Sequence, residues 1–232
     1  MDFQTLVDTD AVGIKIEHDE AVMMLGSCFA EDVGNLLKRS MLTLCINPFG
    51  TLYNPRSIAQ SLRRLMADMP FSADELVAYG NLWHSMSHHS RFSSVDKDRA
   101  LHKINTACAE GVACLRSARH LIVTFGTAYT FSTADGETVA NCHKMPASMF
   151  NRRMLSANEI ADEWIPLIDD IRKFNPHIDI TFTVSPVRHL ADGAHGNQLS
   201  KSTLLLASDS IMAQRPGVCH YFPSYEIMLD QL

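Results

Sequence analysis

No stretch of this sequence approaches the ~20 consecutive apolar residues needed to cross a bilayer, and the N-terminus, Met1 to Asp10, is acidic where a secretory leader would be basic. Both absences lead us to expect a soluble, cytoplasmic chain that makes no use of a membrane. The six cysteines, Cys28, Cys45, Cys108, Cys114, Cys142 and Cys219, form no CxxC pair and no zinc-type cluster, so reduced and mostly buried thiols are expected. Positive charge is scarce and scattered: there are 20 Lys and Arg residues, with no run longer than short pairs such as Arg63-Arg64 and Arg152-Arg153, and the net charge is -6. That balance excludes nucleic acid as the natural partner. Internal repeats, low-complexity tracts and an interdomain linker are also missing. What remains is 232 residues, 46% of them hydrophobic, enough for one sizeable core and read as a single domain over 1–232.

Apolar, β-rich runs recur at Ala21 to Leu25, Met41 to Ile46, Leu121 to Phe125, Ile178 to Val184 and Val218 to Phe222. Several are too continuous for half-solvated strands and read as central strands of a mostly parallel sheet. Helical periodicity lies between them, at Glu31 to Arg39, Pro55 to Ala67, Asp96 to Ser117, Ala157 to Phe174 and Leu199 to Ala213. The alternation predicts an α/β fold of three layers, a doubly wound, mostly parallel five-stranded sheet. Two segments interrupt it, Leu76 to Ser94 and Tyr129 to Met145, the second with a turn at Ala134-Asp135-Gly136-Glu137. Both are read as small β insertions near the mouth of a site.

Ligands of open α/β sheets bind beyond the carboxyl ends of the strands. Polar, turn-forming residues collect there: Gly26-Ser27-Cys28 after the first strand, Asn47-Pro48-Phe49-Gly50 through Tyr53-Asn54-Pro55 after the second, Gly126-Thr127-Ala128 after the third, and Ser185-Pro186-Val187-Arg188-His189 after the fourth. The first is the most informative. A serine between an apolar run and a helix sits on a strand-to-helix turn, where glycine permits the tight backbone and the helix amides offer donors to a developing oxyanion.

Gly26-Ser27-Cys28-Phe29-Ala30 spells the defining motif of the GSCFA-domain proteins, and the chain resembles that family from about Gly26 to Asp230. The resemblance extends through Asn47-Pro48-Phe49-Gly50, Tyr53-Asn54-Pro55, Gly126-Thr127-Ala128, Asn141-Cys142-His143-Lys144-Met145-Pro146, Ser185-Pro186-Val187-Arg188-His189, Ser200-Lys201 and Tyr221-Phe222-Pro223-Ser224-Tyr225-Glu226. The family is similar to SGNH (GDSL-like) hydrolases, which implies a serine ester hydrolase acting on an acyl or acetyl ester, with carbohydrate esters among the substrates. Carried over, Ser27 matches the nucleophile and Gly50 the glycine oxyanion donor. The asparagine donor of such enzymes has no match at Gly126-Thr127-Ala128, so Thr127 or Asn141 is assigned in its place. The resemblance also implies an Asp-x-x-His segment after the fifth strand. None occurs before Leu232, so the catalytic loop and last helix are expected to be missing, and His189 is the best internal substitute base.

Other residues carry weaker expectations. Asn47, Asn54, His143 and Lys144 are candidates for substrate binding, although the asparagines equally suit a turn-holding role and His143 and Lys144 a pinned insertion. Ser27 has a structural alternative as a helix cap. Cys28 is an alternative nucleophile but more commonly such a residue is a small buried hydrophobe. Asp192-Gly193-Ala194-His195 spells Asp-x-x-His one crossover too early and is read as a decoy. His84, His88 and His89 lack a nearby carboxylate, so no metal or other cofactor is expected. Two rivals stand beside the hydrolase: a ligand-binding protein on the same scaffold that performs no chemistry, and an inactive truncated form whose apolar edge near Val218 to Leu232 drives self-association.

Overall fold

The computed structural model describes residues 5–9 and 14–231, so half of the acidic stretch from Met1 to Asp10 lies outside the described residues. Five strands, β1 (Ala21–Gly26), β2 (Thr43–Ile46), β5 (His120–Phe125), β9 (Asp179–Val184) and β10 (Cys219–Tyr221), form one sheet in the order β2-β1-β5-β9-β10. Every neighbouring pair is parallel, as the continuous apolar runs require. The second strand is shorter than its apolar run because Met41 adopts φ +65°, a left-handed conformation that no strand accepts.

The helices are α1 (Cys28–Arg39), α2 (Pro55–Ala67), α3 (Lys97–Ser117), α4 (Ala157–Phe174) and α5 (Gly193–Gln214). Their starts follow local chemistry. Asn54 Oδ1 accepts from Ser57 N at 2.8 Å ahead of Pro55, Asp96 Oδ1 accepts from Arg99 N at 2.9 Å, and Ser156 with Glu159 forms a capping box. Two helices begin earlier than periodicity indicates. The α1 helix starts directly after Ser27, and α5 starts six residues before Leu199, through a polar, glycine-containing segment that lacks the large apolar residues marking a helix.

Strand alternation sends Met23, Leu25, Leu121, Val123, Phe125, Ile180 and Phe182 into one continuous core with α2, α3, α4 and α5. Phe125, Trp164 and Phe182 meet at its centre with ring centroids 5.2 to 5.5 Å apart. The opposite face turns Met24, Ile122, Thr124, Thr181 and Thr183 toward α1, around an apolar cavity of about 330 Å³. Helices thus flank the sheet on both faces.

The first insertion is an antiparallel hairpin, β3 (Leu76–Tyr79) with β4 (Leu82–Ser85). The second has three strands in the order β7-β6-β8: β6 (Tyr129–Ser132), β7 (Thr138–Val139) and β8 (Asn151–Met154). Its last strand lies beyond the expected boundary at Met145, since Asn151-Arg152-Arg153 is a mostly exposed edge with no apolar alternation. Gly136 closes the β6-β7 turn at φ +86°, donating to Thr133 O at 3.0 Å. Two bonds join the insertions: Ala140 N donates to Met86 O, and the His143 ring Nε2 to Ser85 O, both at 2.8 Å.

All six thiols are free; Cys108 and Cys219 are buried and the other four half-buried, fewer than expected. Among the described residues no helix is long and apolar enough to cross a membrane.

Candidate active site

Ser27 stands where β1 ends and α1 begins. Gly26 precedes it at φ +137°, and a Cβ there would lie 2.1 Å from Thr124 O, so the two adjacent strand ends approach as only glycine allows. Ser27 occupies the position of a helix cap, with its amide donating to Thr124 O at 3.3 Å, yet its hydroxyl makes no capping bond. The Oγ atom is buried and has no hydrogen-bond partner among the described residues. A hydroxyl enclosed without a partner costs roughly 1–3 kcal/mol, and a cap would have contributed ~1 kcal/mol; Ser27 forgoes the second and bears the first.

Asn47 bonds to the same turn, at Gly26. Its Oδ1 accepts from Gly26 N at 2.8 Å, its amide donates to Met24 O at 2.9 Å, and its carbonyl accepts from Gly50 N at 2.7 Å and Arg91 Nη2 at 2.6 Å. Only the Nδ2 donor lacks a partner, although the residue is buried. Asn54 belongs to α2, accepting from Ser57 N and donating to Ser57 Oγ at 2.9 Å.

The expected oxyanion donors are committed elsewhere. Gly50 N is held by Asn47 O, and Gly126 N and Thr127 N both donate to Tyr53 O at 2.8 and 2.9 Å. The Thr127 hydroxyl pairs with Ser200 Oγ at 3.1 Å. Asn141 Oδ1 accepts from His143 N at 2.8 Å inside the second insertion. His143 is buried and Lys144 exposed, both with positive φ, and they shape a turn there. Among the described residues no three His, Cys, Asp or Glu side chains gather as metal ligands.

Sequence reasoning quoted Ser200-Lys201 within the family pattern but gave the inner face of α5 no role. Asn197, Ser200 and Lys201 lie one turn apart on it, all buried. Asn197 Oδ1 accepts from His189 N at 2.9 Å, Ser200 Oγ from Ala128 N at 2.8 Å, and Lys201 Nζ donates to Gly126 O at 2.6 Å and Ser185 O at 2.7 Å. One helix face therefore holds the loops after both β5 and β9. Its signal in the sequence is the Ser200-Lys201 pair of the family pattern, which carries no apolar periodicity.

Those loops border a cavity of about 570 Å³ into which Cys28, Tyr53, Arg152, His189 and Asp192 project. His189 meets Tyr53 edge-on, with centroids 5.6 Å apart. Burial holds its imidazole below the usual range and the nearby Lys201 charge adds to that, while Asp192 opposes both. Asp192 is itself ion-paired with Arg152, whose guanidinium lies 3.8 Å over the Tyr129 ring. His195, the other end of the early Asp-x-x-His, is exposed. Ser27 does not line this cavity; Cys28, the next residue, does.

A parallel α/β sheet, with a buried hydroxyl on its first strand-to-helix turn and polar loops at its carboxyl edge, defines the class. The chain belongs to the GSCFA family, whose model matches residues 21–232. Among solved structures it is similar to an acetyl xylan esterase from the rumen bacterium Butyrivibrio proteoclasticus, at 11% identity and a TM-score of 0.36, over 90% of this chain and 56% of that one. The chain thus spans a little over half of that protein's length. No curated protein matches it.

Proposed function

We propose that the protein is an ester hydrolase of SGNH type in which Ser27 attacks an acyl or acetyl ester, carbohydrate-borne esters being the first class to assay. The supporting observation is the Ser27 hydroxyl, buried at the N-terminus of α1, uncapped and unpaired. In the first half-reaction Ser27 Oγ bonds to the ester carbonyl carbon, its proton passes to a base, and the alcohol leaves with a proton; water then cleaves the acyl-enzyme. His189, which shares with Asp192 the cavity that Cys28 opens onto next to Ser27, is assigned as that base. The leading amides of α1 offer unsatisfied donors toward the oxyanion. For Gly50 and Thr127 to donate as well, Asn47 O and Tyr53 O must first release their amides.

Fluorophosphonate labelling, with the adduct located by mass spectrometry, tests this reading. An adduct on Ser27 that disappears in Ser27→Ala, with loss of p-nitrophenyl acetate turnover, is the expected result; unchanged turnover in that variant sinks it. One observation favours a second nucleophile, since Cys28 shares the cavity with His189 and Asp192 while Ser27 is only 1% exposed. Turnover that survives Ser27→Ala but is lost in Cys28→Ala, together with blocking by iodoacetamide, transfers the role to the thiol.

A further inference from the structure

Lys201 is fully buried, and its two bonded partners are both backbone carbonyls, Gly126 O and Ser185 O. No carboxylate pairs with it among the described residues. These carbonyls stand just beyond the last registered pair of β5 and β9, Phe125 with Val184, where the ladder runs out of donors. An unpaired ammonium in such a place is costly, and a methionine of similar length would pack there without that cost. The same helix face holds Ala128 N and His189 N through Ser200 and Asn197, so three side chains fasten the two loops that carry Thr127 and His189.

We propose that Lys201 is a positioning residue of the site, fixing the spacing of the Gly126 and Ser185 loop ends and keeping a positive charge within reach of the Ser27-Cys28 turn, where acyl transfer develops negative charge. The inference rests on the hydrolase reading. Charge and clamp belong together, because an ammonium donates to both carbonyls more strongly than a neutral amine does. The groups facing it are Cys28 from α1, His189 from the loop after β9, and the Tyr225 ring, whose centroid is 6.0 Å from Nζ. Burial pushes the Lys201 amine down to about 8, so the clamp loses its charge on the alkaline side of neutrality, well separated from His189, which is held below its ordinary range.

The test uses the full chain as wild type, Lys201→Arg and Lys201→Met, followed from about pH 6.5 to about 9.5, the range in which a desolvated lysine titrates. One readout is the rate of fluorophosphonate labelling at Ser27; the other is the backbone amide NMR signals of Gly126 to Ala128 and Val187 to His189. Wild-type labelling should fall, and those signals should move, with a midpoint near 8. Lys201→Arg, charged throughout, should label within about threefold of wild type and lose the alkaline fall, and Lys201→Met should label at least about tenfold more slowly near neutrality. Labelling and signals that stay flat through that range in the wild type, or a fall that persists in Lys201→Arg, overturn the proposal. Should Lys201→Met fail to fold, wild type and Lys201→Arg decide the matter alone. A wild type that takes no label on Ser27 at any pH brings down the hydrolase reading itself, whereas labelling indifferent to Lys201 removes only the positioning role.

Discussion

The two sides of the sheet's carboxyl edge are built on opposite terms. At the β1 and β2 ends, Ser27 Oγ and Asn47 Nδ2 are buried without partners. At the β5 and β9 ends, Asn197, Ser200 and Lys201 are equally buried, and each has a partner at 2.6 to 2.9 Å. A buried polar atom left unsatisfied is destabilising, and on the hydrolase reading Ser27 and Asn47 keep theirs for a bound ester. A satisfied one is framework. On that reading the contrast separates the atoms proposed to meet a substrate from those that hold the loops around it.

Ser27→Ala should give the largest effect, abolishing labelling and lowering p-nitrophenyl acetate turnover by at least ~10⁴-fold, while thermal unfolding shows no loss of stability because the hydroxyl bonds to nothing. A lowered melting temperature would make Ser27 framework after all. Gly26→Ala should destabilise by ~4 kcal/mol or more, since a Cβ would strike Thr124 O in a left-handed backbone, and urea unfolding measures it. Asn47→Asp keeps the acceptor for Gly26 N, removes the unpaired donor and sets a carboxyl in its place; a fall of at least about 10²-fold in kcat, with KM little changed, is expected if Nδ2 meets the oxyanion. On the other side, Ser200→Ala should cost ~2 kcal/mol of stability by stranding Ala128 N, the reverse of the Ser27 result.

The smallest effect concerns an unpaired atom away from the edge. His88 is buried against Phe49 with Nε2 unpartnered, and burial pushes its imidazole down to about 3. The unfolded chain takes up this proton near the ordinary histidine value and the native state does not until far lower, so stability falls as pH drops below about 6.5. The share due to His88 should reach about 1 kcal/mol near pH 5.5, so His88→Phe should lose less stability than wild type by that amount, as chemical denaturation across that range will show.

The strands were legible because a sheet buried on both faces writes itself as continuous apolar runs, and α2 and α4 because their periodicity and caps coincide. The β8 strand and the start of α5 were not, since Asn151 to Arg153 and Gly193 to Gln198 carry their structure in backbone bonds rather than in apolar pattern. Ser27 was legible at the site through its turn. The state of Gly50 and Thr127 was not, because a sequence names a donor without saying which carbonyl already holds it. Lys201 was legible as part of a motif but without a role, for a related reason: a lysine in a helix reads as surface, and only the fold turns it inward.

The bonds from Ala140 to Met86 and from His143 to Ser85 tie together two hairpins more than fifty residues apart in the chain. Neither can be pulled away from the sheet alone. Amide exchange in the two hairpins should accordingly proceed with one shared opening rate, and a protease that nicks the loop at Gly80 would expose Ala140 as well.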